Sequence, residues 1–445
     1  MELYDIVIIG AGPSGLFAAV ELERKLGNCK ILLLDKGDSL DERIRKNLKN
    51  SVVPEGFGGA GGFSDGKLIF STEVGGNLSS IIPQEELDNL MQENYKLWNE
   101  FIDDLTVEKF LSPEANDLVV DAKNHNIDLI ISDIIHVGSD VLPFLLKNIE
   151  KELYENIDIL TNSEVFNISK TNNSFLIETS DKKYSSNFLI VAPGRGGSKW
   201  LNDQLSNFET KKVNNPVDIG VRVEIPYSIT KNLTDRLYEF KMRYITPSYS
   251  DLVRTFCVCP KGQVVIEKNK DILLANGYSN IAHESQNTNF ALLVSIKLGP
   301  PVNLPLIYSN NVAKIVNNIS GGILVQRLGD LLSCKRSSVL SQNSLVATLK
   351  EALPGDLGLA YPYRVITDII EGLQGIDKWL PGVSHNDTLL YAPEIKMYSS
   401  MIAVDAFMQA TDGFYVCGDG AGITRGIVQA SISGMSAAKH IVQNF

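Results

Sequence analysis

The first 35 residues constrain the fold of this chain more than any other segment. The apolar run from Tyr4 to Ile9 is typical of a strand buried on both faces. It leads into the stretch GAGPSG, Gly10–Gly15, and then into residues 16–26, whose apolar side chains have helical spacing. A second apolar run ends at Asp35, twenty residues after the last glycine of the turn. Together these features predict a dinucleotide-binding βαβ unit.

The three glycines of this turn have different expected roles. Gly10 permits the tight turn after the strand, and Gly12 lets the backbone approach a pyrophosphate. Gly15 allows the helix to pack closely on the strand, and the helix N-terminus faces the negative charge of the phosphates. Asp35 is expected to accept hydrogen bonds from a ribose hydroxyl. A glycine turn in some other α/β protein is the alternative.

The two ends of the chain together indicate which dinucleotide is bound. Residues 5–22 resemble the FAD-binding start of the glutathione-reductase-like flavoproteins. Residues 414–419, FYVCGD, predict a strand ending in an acid, and residues 423–442 predict a long helix rich in small side chains. In FAD enzymes of this fold such an acid, here Asp419, meets the ribityl chain or pyrophosphate, and the helix dipole stabilises the reduced flavin. FAD is the expected cofactor, with NAD(P)H left open as a transient reductant.

A glycine-rich stretch and a third strand add to the expected cofactor site. The stretch GFGGAGGFSDGKL, residues 56–68, holds six glycines and is predicted to lie along the ribityl chain and the flavin ring. The apolar run 188–191 predicts a strand that re-enters the nucleotide domain at Ala192–Gly194. Val165, on the preceding strand pattern, is a candidate for a backbone contact to adenine.

The candidate cofactor-binding residues come from these segments and from the loop after Asp35. They are Gly10, Gly12, Pro13, Ser14, Gly15, Asp35, Lys36, Gly37, Arg43, Gly59, Ala60, Gly61, Ser64, Asp65, Gly66, Val165, Ala192, Gly194, Gly418, Asp419, Gly420, Ile423, Arg425 and Gly426.

Motifs along nearly the whole chain resemble a named group of flavoproteins. The most specific are GGAGGFSDGKL, CVCPKG and GDGAGITRGI. They are similar to motifs of the uncharacterised FAD-dependent dehydrogenase family of bacteria and archaea, near the BaiN-like and geranylgeranyl-reductase-like flavoproteins. The resemblance implies an α/β fold, with a Rossmann-like FAD-binding domain of the glutathione-reductase type interleaved with an α+β substrate domain. The expected FAD-binding domain comprises residues 1–70, 136–200 and 385–445, and the expected substrate or cap domain comprises 71–135 and 201–384.

Two motifs that the sequence lacks argue against two classes of flavoenzyme. The sequence has no second strand–GxGxxG–helix unit for a dedicated NADPH domain, and no CxxC pair for disulfide reduction. The leading hypothesis is an FAD-dependent dehydrogenase or reductase performing two-electron redox on a small or medium organic substrate. A flavin monooxygenase using NAD(P)H and oxygen is an alternative, disfavoured because Pro193-Gly194 stands where related hydroxylases carry Asp-Gly. A non-catalytic binding protein on the flavoprotein fold is the alternative from another class.

Four residues are candidates for catalysis. Lys67 follows the glycine-rich stretch and could meet the flavin N5 or O4 edge, where a cation favours hydride transfer. His136, at a strand end, is a candidate acid or base. Glu394 and Lys396 lie in the motif APEIKMYSS, where either could face the flavin ring or the two could form a salt bridge. Cys257 and Cys259 alternate along a strand pattern and are expected on one face, as pocket lining or as core.

The charge, the apolar runs and the cysteines of the sequence indicate which partners and which cellular compartment to expect. The net charge of −12 argues against a nucleic-acid-binding role, which needs a basic face. No apolar run reaches the roughly 20 residues that span a bilayer. Five cysteines without metal-ligand spacing, and no recognisable leader, predict a cytoplasmic protein with no metal site. A small-molecule substrate is the expected partner, and the oligomeric state is undetermined.

Overall fold

A computed structural model of the protein describes most of the 445 residues. The described residues are 1–47, 55–64, 66–110, 115–138, 141–171, 174–208, 210–213, 217–237, 239–269, 271–278, 284–296, 298, 305–340, 343–396 and 401–445. Contacts between Cα atoms divide them into two compact units. Unit 1 spans Met1–Lys109, Ser132–Val213 and Ser399–Phe445, and unit 2 spans Phe110–Ile131 and Asn214–Tyr398.

Both units contain strands and helices. The strands are β1 (Glu2–Ile9), β2 (Ile31–Leu34), β3 (Lys67–Phe70), β4 (Glu108–Phe110), β5 (Asp128–Ile130), β6 (Asp133–His136), β7 (Asp158–Leu160), β8 (Val165–Lys170), β9 (Phe175–Thr179), β10 (Lys183–Val191), β11 (Lys212–Val213), β12 (Val217–Pro226), β13 (Lys241–Ile245), β14 (Leu252–Cys259), β15 (Gln263–Asn269), β16 (Ile272–Tyr278), β17 (Asn287–Ile296), β18 (Leu324–Arg327), β19 (Leu353–Pro354), β20 (Leu389–Lys396), β21 (Met401–Ile402), β22 (Gln409–Thr411) and β23 (Phe414–Val416). The helices are α1 (Pro13–Leu26), α2 (Leu40–Asn47), α3 (Gln84–Ile102), α4 (Asn116–Asn124), α5 (Leu142–Leu153), α6 (Ser198–Gln204), α7 (Tyr227–Leu237), α8 (Pro305–Ser320), α9 (Leu328–Leu332), α10 (Tyr363–Asp377) and α11 (Ile427–Asn444).

The main sheet of unit 1 has the order β22-β23-β10-β1-β2-β7, with the β8–β9 hairpin extending from β10. Strands β23, β10, β1, β2 and β7 run parallel. Their carboxyl ends therefore meet at one edge, which is where ligands bind in open α/β sheets. This arrangement confirms the predicted α/β class with a Rossmann-like unit.

Helix α1 follows β1 because the sequence supplies both helix ends. Pro13 occupies the first turn, where its missing N–H costs nothing, and Gly27 ends the helix with φ +54. Helix α11 crosses α1 closely, since a Cβ atom at Gly434 would lie 1.9 Å from the Ser14 carbonyl oxygen. The first and last helices of the chain thus pack backbone against backbone.

Unit 2 is built on an eight-stranded sheet in the order β19-β18-β20-β12-β17-β14-β13-β5. Residues 217, 219, 221, 223 and 225 of β12 point into an apolar core with α10, whose Val365, Ile369, Leu373 and Ile376 join the same cluster. The alternate residues of β12, among them Asp218 and Arg222, lie on the other face and are also buried. Strands β15 and β16 form a separate hairpin, in the region whose sequence predicts hairpins.

The unit boundaries differ from the expected domain boundaries at four places, and the two largest differences are 71–109 and 385–398. Residues 71–109 belong to unit 1 because α3 packs there, with Asn94 Nδ2 donating to Ser431 Oγ of α11 at 2.9 Å. Strand β20 belongs to unit 2 because it pairs with β12 and β18. The expected FAD-binding domain had included β20, and with it Glu394 and Lys396.

Candidate functional site

The three glycines of the turn after β1 are of two kinds, which differ in the space around them. A Cβ atom at Gly10, where φ is +103, would lie 2.1 Å from the Ala192 carbonyl oxygen. A Cβ atom at Gly15 would lie 1.9 Å from the Gly10 carbonyl oxygen. Among the described residues, a Cβ atom at Gly12 would meet no heavy atom closer than Gly59 Cα at 3.9 Å. The first and third glycines therefore serve packing, whereas the side of Gly12 is open to a ligand.

The open side of Gly12 adjoins the N-terminus of α1. The first backbone N–H groups of a helix lack intrahelical partners, and the helix dipole favours negative charge there. The first turn of α1 contains no acidic side chain, and none of the side chains that the structure describes caps it. Ser14 is buried, with its Oγ 3.4 Å from Ser433 Oγ of α11. This end of the helix is suited to hold a phosphate.

Asp35 lies beside this turn at the end of β2. Its Oδ2 accepts the Ala11 N–H at 2.8 Å and its Oδ1 accepts the Gly37 N–H at 2.8 Å. The carboxylate thus fixes two backbone segments, and each oxygen keeps a second lone pair for another donor. The side chain of Lys36 forms a largely exposed ion pair with Glu55 at 2.7 Å. The ribose contact of Asp35 remains a prediction.

Arg43 is a buried cation that holds the glycine-rich stretch. Its Nη1 donates to the carbonyl oxygens of Phe57 at 2.7 Å, Gly59 at 2.9 Å and Gly56 at 3.3 Å. Its guanidinium also lies 4.1 Å from the centre of the Phe63 ring. Burial lowers the pKa of Arg43 to about 10, so the group stays charged at neutral pH. Arg43 therefore orders the backbone of this stretch.

The glycines of residues 56–68 are required by packing within the protein. Cβ atoms at Gly58 and Gly62 would lie 2.6 and 2.7 Å from Leu146 Cδ1 of α5. A Cβ atom at Gly59, where φ is +60, would lie 2.9 Å from Gly12 Cα. The sequence interpretation placed a flat cofactor where these Cβ atoms would be, but protein atoms occupy those positions.

The rest of this stretch connects the phosphate turn to α11 and β6. A Cβ atom at Gly61 would lie 3.0 Å from Ile427 Cγ1, and Ser64 Oγ donates to the Gly61 carbonyl at 2.8 Å. Gly66, with φ +73, packs against the backbone of Gly138. Ala60 is exposed. Asp65 lies outside the described residues.

The turn after β23 meets the phosphate turn from the other side. A Cβ atom at Gly418, where φ is +78, would lie 2.5 Å from Ser14 Oγ. Asp419 Oδ1 accepts the Thr424 hydroxyl at 2.8 Å, and its Oδ2 accepts Arg195 Nε at 3.1 Å. Burial raises the pKa of Asp419 above its usual value, and the Arg195 guanidinium opposes that rise. Sequence reasoning gave no partner for this acid.

The remaining predicted residues near this turn are held by backbone contacts. The Ile423 carbonyl accepts the Asn77 N–H at 2.8 Å, and the Arg425 N–H donates to the Gly75 carbonyl at 2.7 Å. A Cβ atom at Gly426 would lie 2.8 Å from Gln429 Oε1. Residues 75–77 thus fix the loop before α11, a role that the sequence did not predict.

The end of β10 supplies a second open position. The Ala192 N–H donates to the Ile9 carbonyl at 2.8 Å, which extends the parallel pairing of β1 and β10. A Cβ atom at Gly420 would lie 2.4 Å from the Gly194 carbonyl oxygen. Gly194 itself has φ +64, and a Cβ atom on it would meet no atom of the part of the chain that the structure describes within 4 Å. Val165 is buried at the start of β8, where its adenine contact remains a prediction.

Lys67 and His136 are direct neighbours across two antiparallel strands. They are register partners of β3 and β6, and both are partly buried. Cβ atoms of such partners lie about 5 Å apart. The sequence separates these two candidates by 69 positions and did not indicate that they meet.

Glu394 and Lys396 lie together in unit 2, on β20. Glu394 is fully buried, and its Oε1 lies 2.7 Å from Lys396 Nζ. Although burial acts to lower it, the pKa of Lys396 is raised because Glu394 is adjacent. Neither Glu394 oxygen accepts a hydrogen bond of good geometry from the described residues. Of the two expected possibilities, the salt bridge is present.

A second buried glutamate on the same sheet face is fully satisfied. Glu224 accepts hydrogen bonds from Asn287 Nδ2 at 2.9 Å, the Thr348 hydroxyl at 2.6 Å and the Tyr391 hydroxyl at 2.6 Å. Such a saturated carboxylate is typical of a structural network. Glu394, by contrast, retains acceptor capacity.

The cysteine pair on β14 departs from simple alternation. Cys257 has φ +49, and the pairing of β14 with β17 shifts between Phe256 and Cys259. This bulge turns the Cys257 carbonyl and Cys259 Sγ toward Arg222 Nη2, at 2.7 and 3.3 Å. The bulge interrupts the simple alternation on which the expectation of one shared strand face rested, yet both cysteines adjoin Arg222.

The described residues contain no group of three or more His, Cys, Asp or Glu side chains that could hold a metal ion. Among the helices of the described segments, none has the length and apolar character needed to cross a bilayer.

Comparisons with known proteins agree with this architecture. Residues 8–47 match a family model described as an NAD(P)-binding Rossmann-like domain. Residues 216–397 match one described as "FAD-dependent protein, C-terminal domain-like". An uncharacterized protein of Clostridium beijerinckii is 26% identical over 479 residues, covering 99% of this chain and 81% of that protein.

Two solved structures illustrate the remaining similarities. The crystal structure of CtdE in complex with FAD is 12% identical, covers 100% of this chain and 85% of its own, and has a TM-score of 0.35. NikD, an unusual amino acid oxidase, is 12% identical to this chain and has a TM-score of 0.37; the match covers 100% of this chain and 95% of NikD. At such scores these likenesses support nothing about the site.

The family match over residues 216–397 agrees with FAD as the predicted cofactor. The finer family named from the sequence motifs stays a prediction. The chain thus contains one segment that matches a Rossmann-like dinucleotide-binding model and another that matches a model for the C-terminal domain of FAD-dependent proteins.

Proposed function

We propose that the protein is an FAD-dependent oxidoreductase that performs a two-electron dehydrogenation or reduction on a small or medium organic substrate. The observation that carries the proposal is the open side of Gly12 at the N-terminus of α1, between two glycines that protein atoms enclose. A pyrophosphate needs that combination of a bare backbone and unpaired amides.

The residues around this turn fit FAD in unit 1. Gly194 provides a second position, where an added Cβ would meet none of the described residues within 4 Å. Asp35 and Asp419 both retain acceptor lone pairs for ribose or ribityl hydroxyls beside their protein hydrogen bonds. When bound, FAD supplies the two-electron acceptor, and this chain's residues bind it and position the proton-transfer groups.

Lys67 and His136 are the proposed proton-handling pair in unit 1. As cross-strand neighbours they can share one reacting group, the cation holding developing negative charge and the imidazole exchanging a proton. Glu394 and Lys396 are the corresponding candidates in unit 2. All four assignments are proposals from the sequence, supported by the pairing within each unit.

The test compares flavin occupancy in Gly12→Ala and in a matched control. Gly12 has φ −81 and ψ −178, which alanine adopts freely, and its added Cβ would have 3.9 Å of clearance. We expect an unchanged melting temperature of the apoprotein and at least a tenfold loss of FAD affinity. Gly322→Ala, whose nearest atom is 3.8 Å away in unit 2, should change neither quantity.

Flavin is identified by chromatography of the denatured protein against FAD and FMN standards. Anaerobic reduction by NADH, NADPH and a substrate panel then separates the reaction classes. Rapid oxygen consumption with NADPH and substrate would indicate the monooxygenase alternative. Full FAD affinity in Gly12→Ala would remove the basis of the proposal.

A further inference from the structure

Gln429, in the first turn of α11, is a buried glutamine whose amide is engaged at one end only. The residue is 4% exposed. Its Nε2 donates to the Ser71 carbonyl at 2.8 Å and to the Ile69 carbonyl at 3.3 Å. Because both partners are acceptors, they fix this end of the amide as the nitrogen. The side chain therefore ties the start of α11 to the end of β3.

The other end of the amide, Gln429 Oε1, lies beside the residue that precedes α11. A Cβ atom at Gly426 would lie 2.8 Å from this oxygen, and a Cβ atom at Gly75 would lie 2.3 Å from it. Oε1 accepts no hydrogen bond from the described residues, and it is not sealed inside the protein. An acceptor in a largely buried side chain is costly unless a donor reaches it. A donor from a ligand is therefore expected at this oxygen.

Hydrogen-bond donors lie next to this acceptor. The first intrahelical hydrogen bond of α11 runs from the Ala430 N–H to the Gly426 carbonyl at 2.9 Å. The N–H groups of residues 427–429 therefore have no partner within the helix. The first turn contains no acidic side chain, and no described side chain caps it. The start of α11 thus presents donors and one acceptor side by side.

The starts of α1 and α11 suit different chemical groups. At α1 the backbone N–H groups face the open side of Gly12, which suits a phosphate. At α11 a phosphate or carboxylate oxygen would face Gln429 Oε1, and two acceptors repel each other. A group that carries a carbonyl next to an N–H satisfies both the helix donors and Oε1. The imide edge of a pyrimidine ring has this pattern.

The two helix starts are neighbours in unit 1. A Cβ atom at Gly61 would lie 3.2 Å from Pro13 Cγ and 3.0 Å from Ile427 Cγ1. Pro13 is the first residue of α1, and Ile427 is the first residue of α11. One ligand can therefore occupy both starts. FAD has the two groups that they require, a pyrophosphate and, on its ring, a C2 carbonyl beside the N3–H.

We propose that Gln429 Oε1 accepts the N3–H of the flavin ring, while the first N–H groups of α11 hold the adjacent C2 carbonyl oxygen. This inference rests on the proposed function and adds a residue that recognises the ring of its cofactor. The two hydrogen bonds from Nε2 to β3 hold the amide in the orientation that this contact needs.

The test is a fluorescence titration of the flavin-free full-length chain with FAD and with N3-methyl-FAD. The two compounds share their phosphates and ring system, but the second lacks the N3–H. We expect the wild type to bind FAD at least tenfold more tightly than N3-methyl-FAD. In Gln429→Met, which keeps the length of the side chain and removes the oxygen, we expect about fivefold weaker FAD binding and a preference for FAD of less than about threefold.

Gln204→Met is the matched control in the same unit. Gln204 of α6 is also a buried glutamine bonded to a strand, since its Oε1 accepts the Ile168 N–H at 2.8 Å and its Nε2 donates to the Phe166 carbonyl at 3.1 Å. Both variants should lower the melting temperature, but Gln204→Met should keep the wild-type preference for FAD. An unchanged preference in Gln429→Met contradicts the proposal. If Gln429→Met does not fold, the wild-type titration decides, because equal affinity for the two compounds also contradicts it.

The same titrations separate this inference from the proposed function. Protein that binds FAD and N3-methyl-FAD equally well contradicts the contact with Gln429 and leaves the oxidoreductase standing. Protein that binds neither compound contradicts both proposals. Binding of uridine, which carries the same imide edge, to the FAD-loaded protein would assign this edge to a separate pyrimidine and overturn the flavin contact.

Discussion

The candidate site of unit 1 is formed by backbone, whereas that of unit 2 is formed by charged side chains. In unit 1 the phosphate turn consists of backbone, with glycines that allow segments to meet at distances no side chain permits. In unit 2 one face of the large sheet carries buried charged side chains that neutralise one another. Where two such backbone segments meet, an added atom is not tolerated. A side-chain site tolerates isosteric replacement, as long as no buried charge or donor is left alone.

The largest effect predicted from this comparison is at Gly15. In Gly15→Ala the new Cβ would lie 1.9 Å from the Gly10 carbonyl, where neither backbone can move without opening the β1–α1 turn. We expect a loss of at least about 4 kcal/mol in the free energy of unfolding, measured by urea denaturation. Gly12→Ala, three residues earlier, is the control and should retain wild-type stability. Equal stability of the two variants would break the distinction between packed and open glycines.

The second largest predicted loss of stability is at Glu224 in unit 2. Glu224→Ala leaves three hydroxyl and amide donors without their acceptor in a dry environment. We expect a loss of about 3 kcal/mol in unfolding free energy. Glu394→Gln should cost a similar amount, because it removes the anion from a buried ion pair in which Glu394 Oε1 lies 2.7 Å from Lys396 Nζ. A loss below about 1 kcal/mol for either variant, measured by urea denaturation, would contradict this expectation.

A third prediction concerns Asp368, a fully buried acid on α10. Thr246 donates to its Oδ1 at 2.7 Å. Burial, assisted by Asp251, raises the pKa of Asp368 to about 6. Because the folded-state pKa lies above the unfolded value, its contribution to stability is full below about pH 4. That contribution is lost as the pH rises through 6.

Asp368→Asn removes this titration and keeps the acceptor for Thr246. We therefore expect the variant to be more stable than the wild type by about 2 kcal/mol at pH 8 and nearly equal to it at pH 4. Denaturation curves at the two pH values measure this. A difference independent of pH would show that Asp368 remains ionised through strong local pairing.

The smallest predicted effect is at Arg195, the exposed partner of Asp419 in unit 1. Its side chain is 78% exposed, so the ion pair is screened by solvent. Arg195→Gln should change the unfolding free energy by less than about 0.5 kcal/mol. A loss above about 1 kcal/mol, measured by thermal denaturation, would show that a surface charge and not backbone alone maintains this part of unit 1.

Many elements of unit 1 could be predicted from the sequence, because glycine spacing and apolar runs mark the places where two backbone segments approach each other closely. The βαβ unit at Gly10–Gly15 and the strand, turn and helix around Gly418 follow from local pattern alone. The reason for the glycines near Gly59 could not be predicted from the sequence. Gly58 and Gly62 make room for the side chain of Leu146, which is far away in the chain.

Unit 2 was harder to interpret for a different physical reason. Arg222 stands in an alternating strand pattern, VDIGVRVEIP, which normally places its polar residues in solvent. The strand is instead buried on both faces, so the same alternation separates an apolar core from a charged one. Neither the bulge at Cys257 nor the pairing of Lys67 with His136 has a local sequence signal.

The close crossing of α1 and α11 has a consequence for synthesis of the chain. Ser14 and Ser433, which meet there, are separated by 419 positions. Contacts of such long range form late and slow folding. On the ribosome, α1 must therefore wait for about 400 further residues before its packing partner emerges. The phosphate turn is completed only when α11 has been synthesised, so cofactor capture is expected to follow the synthesis of α11.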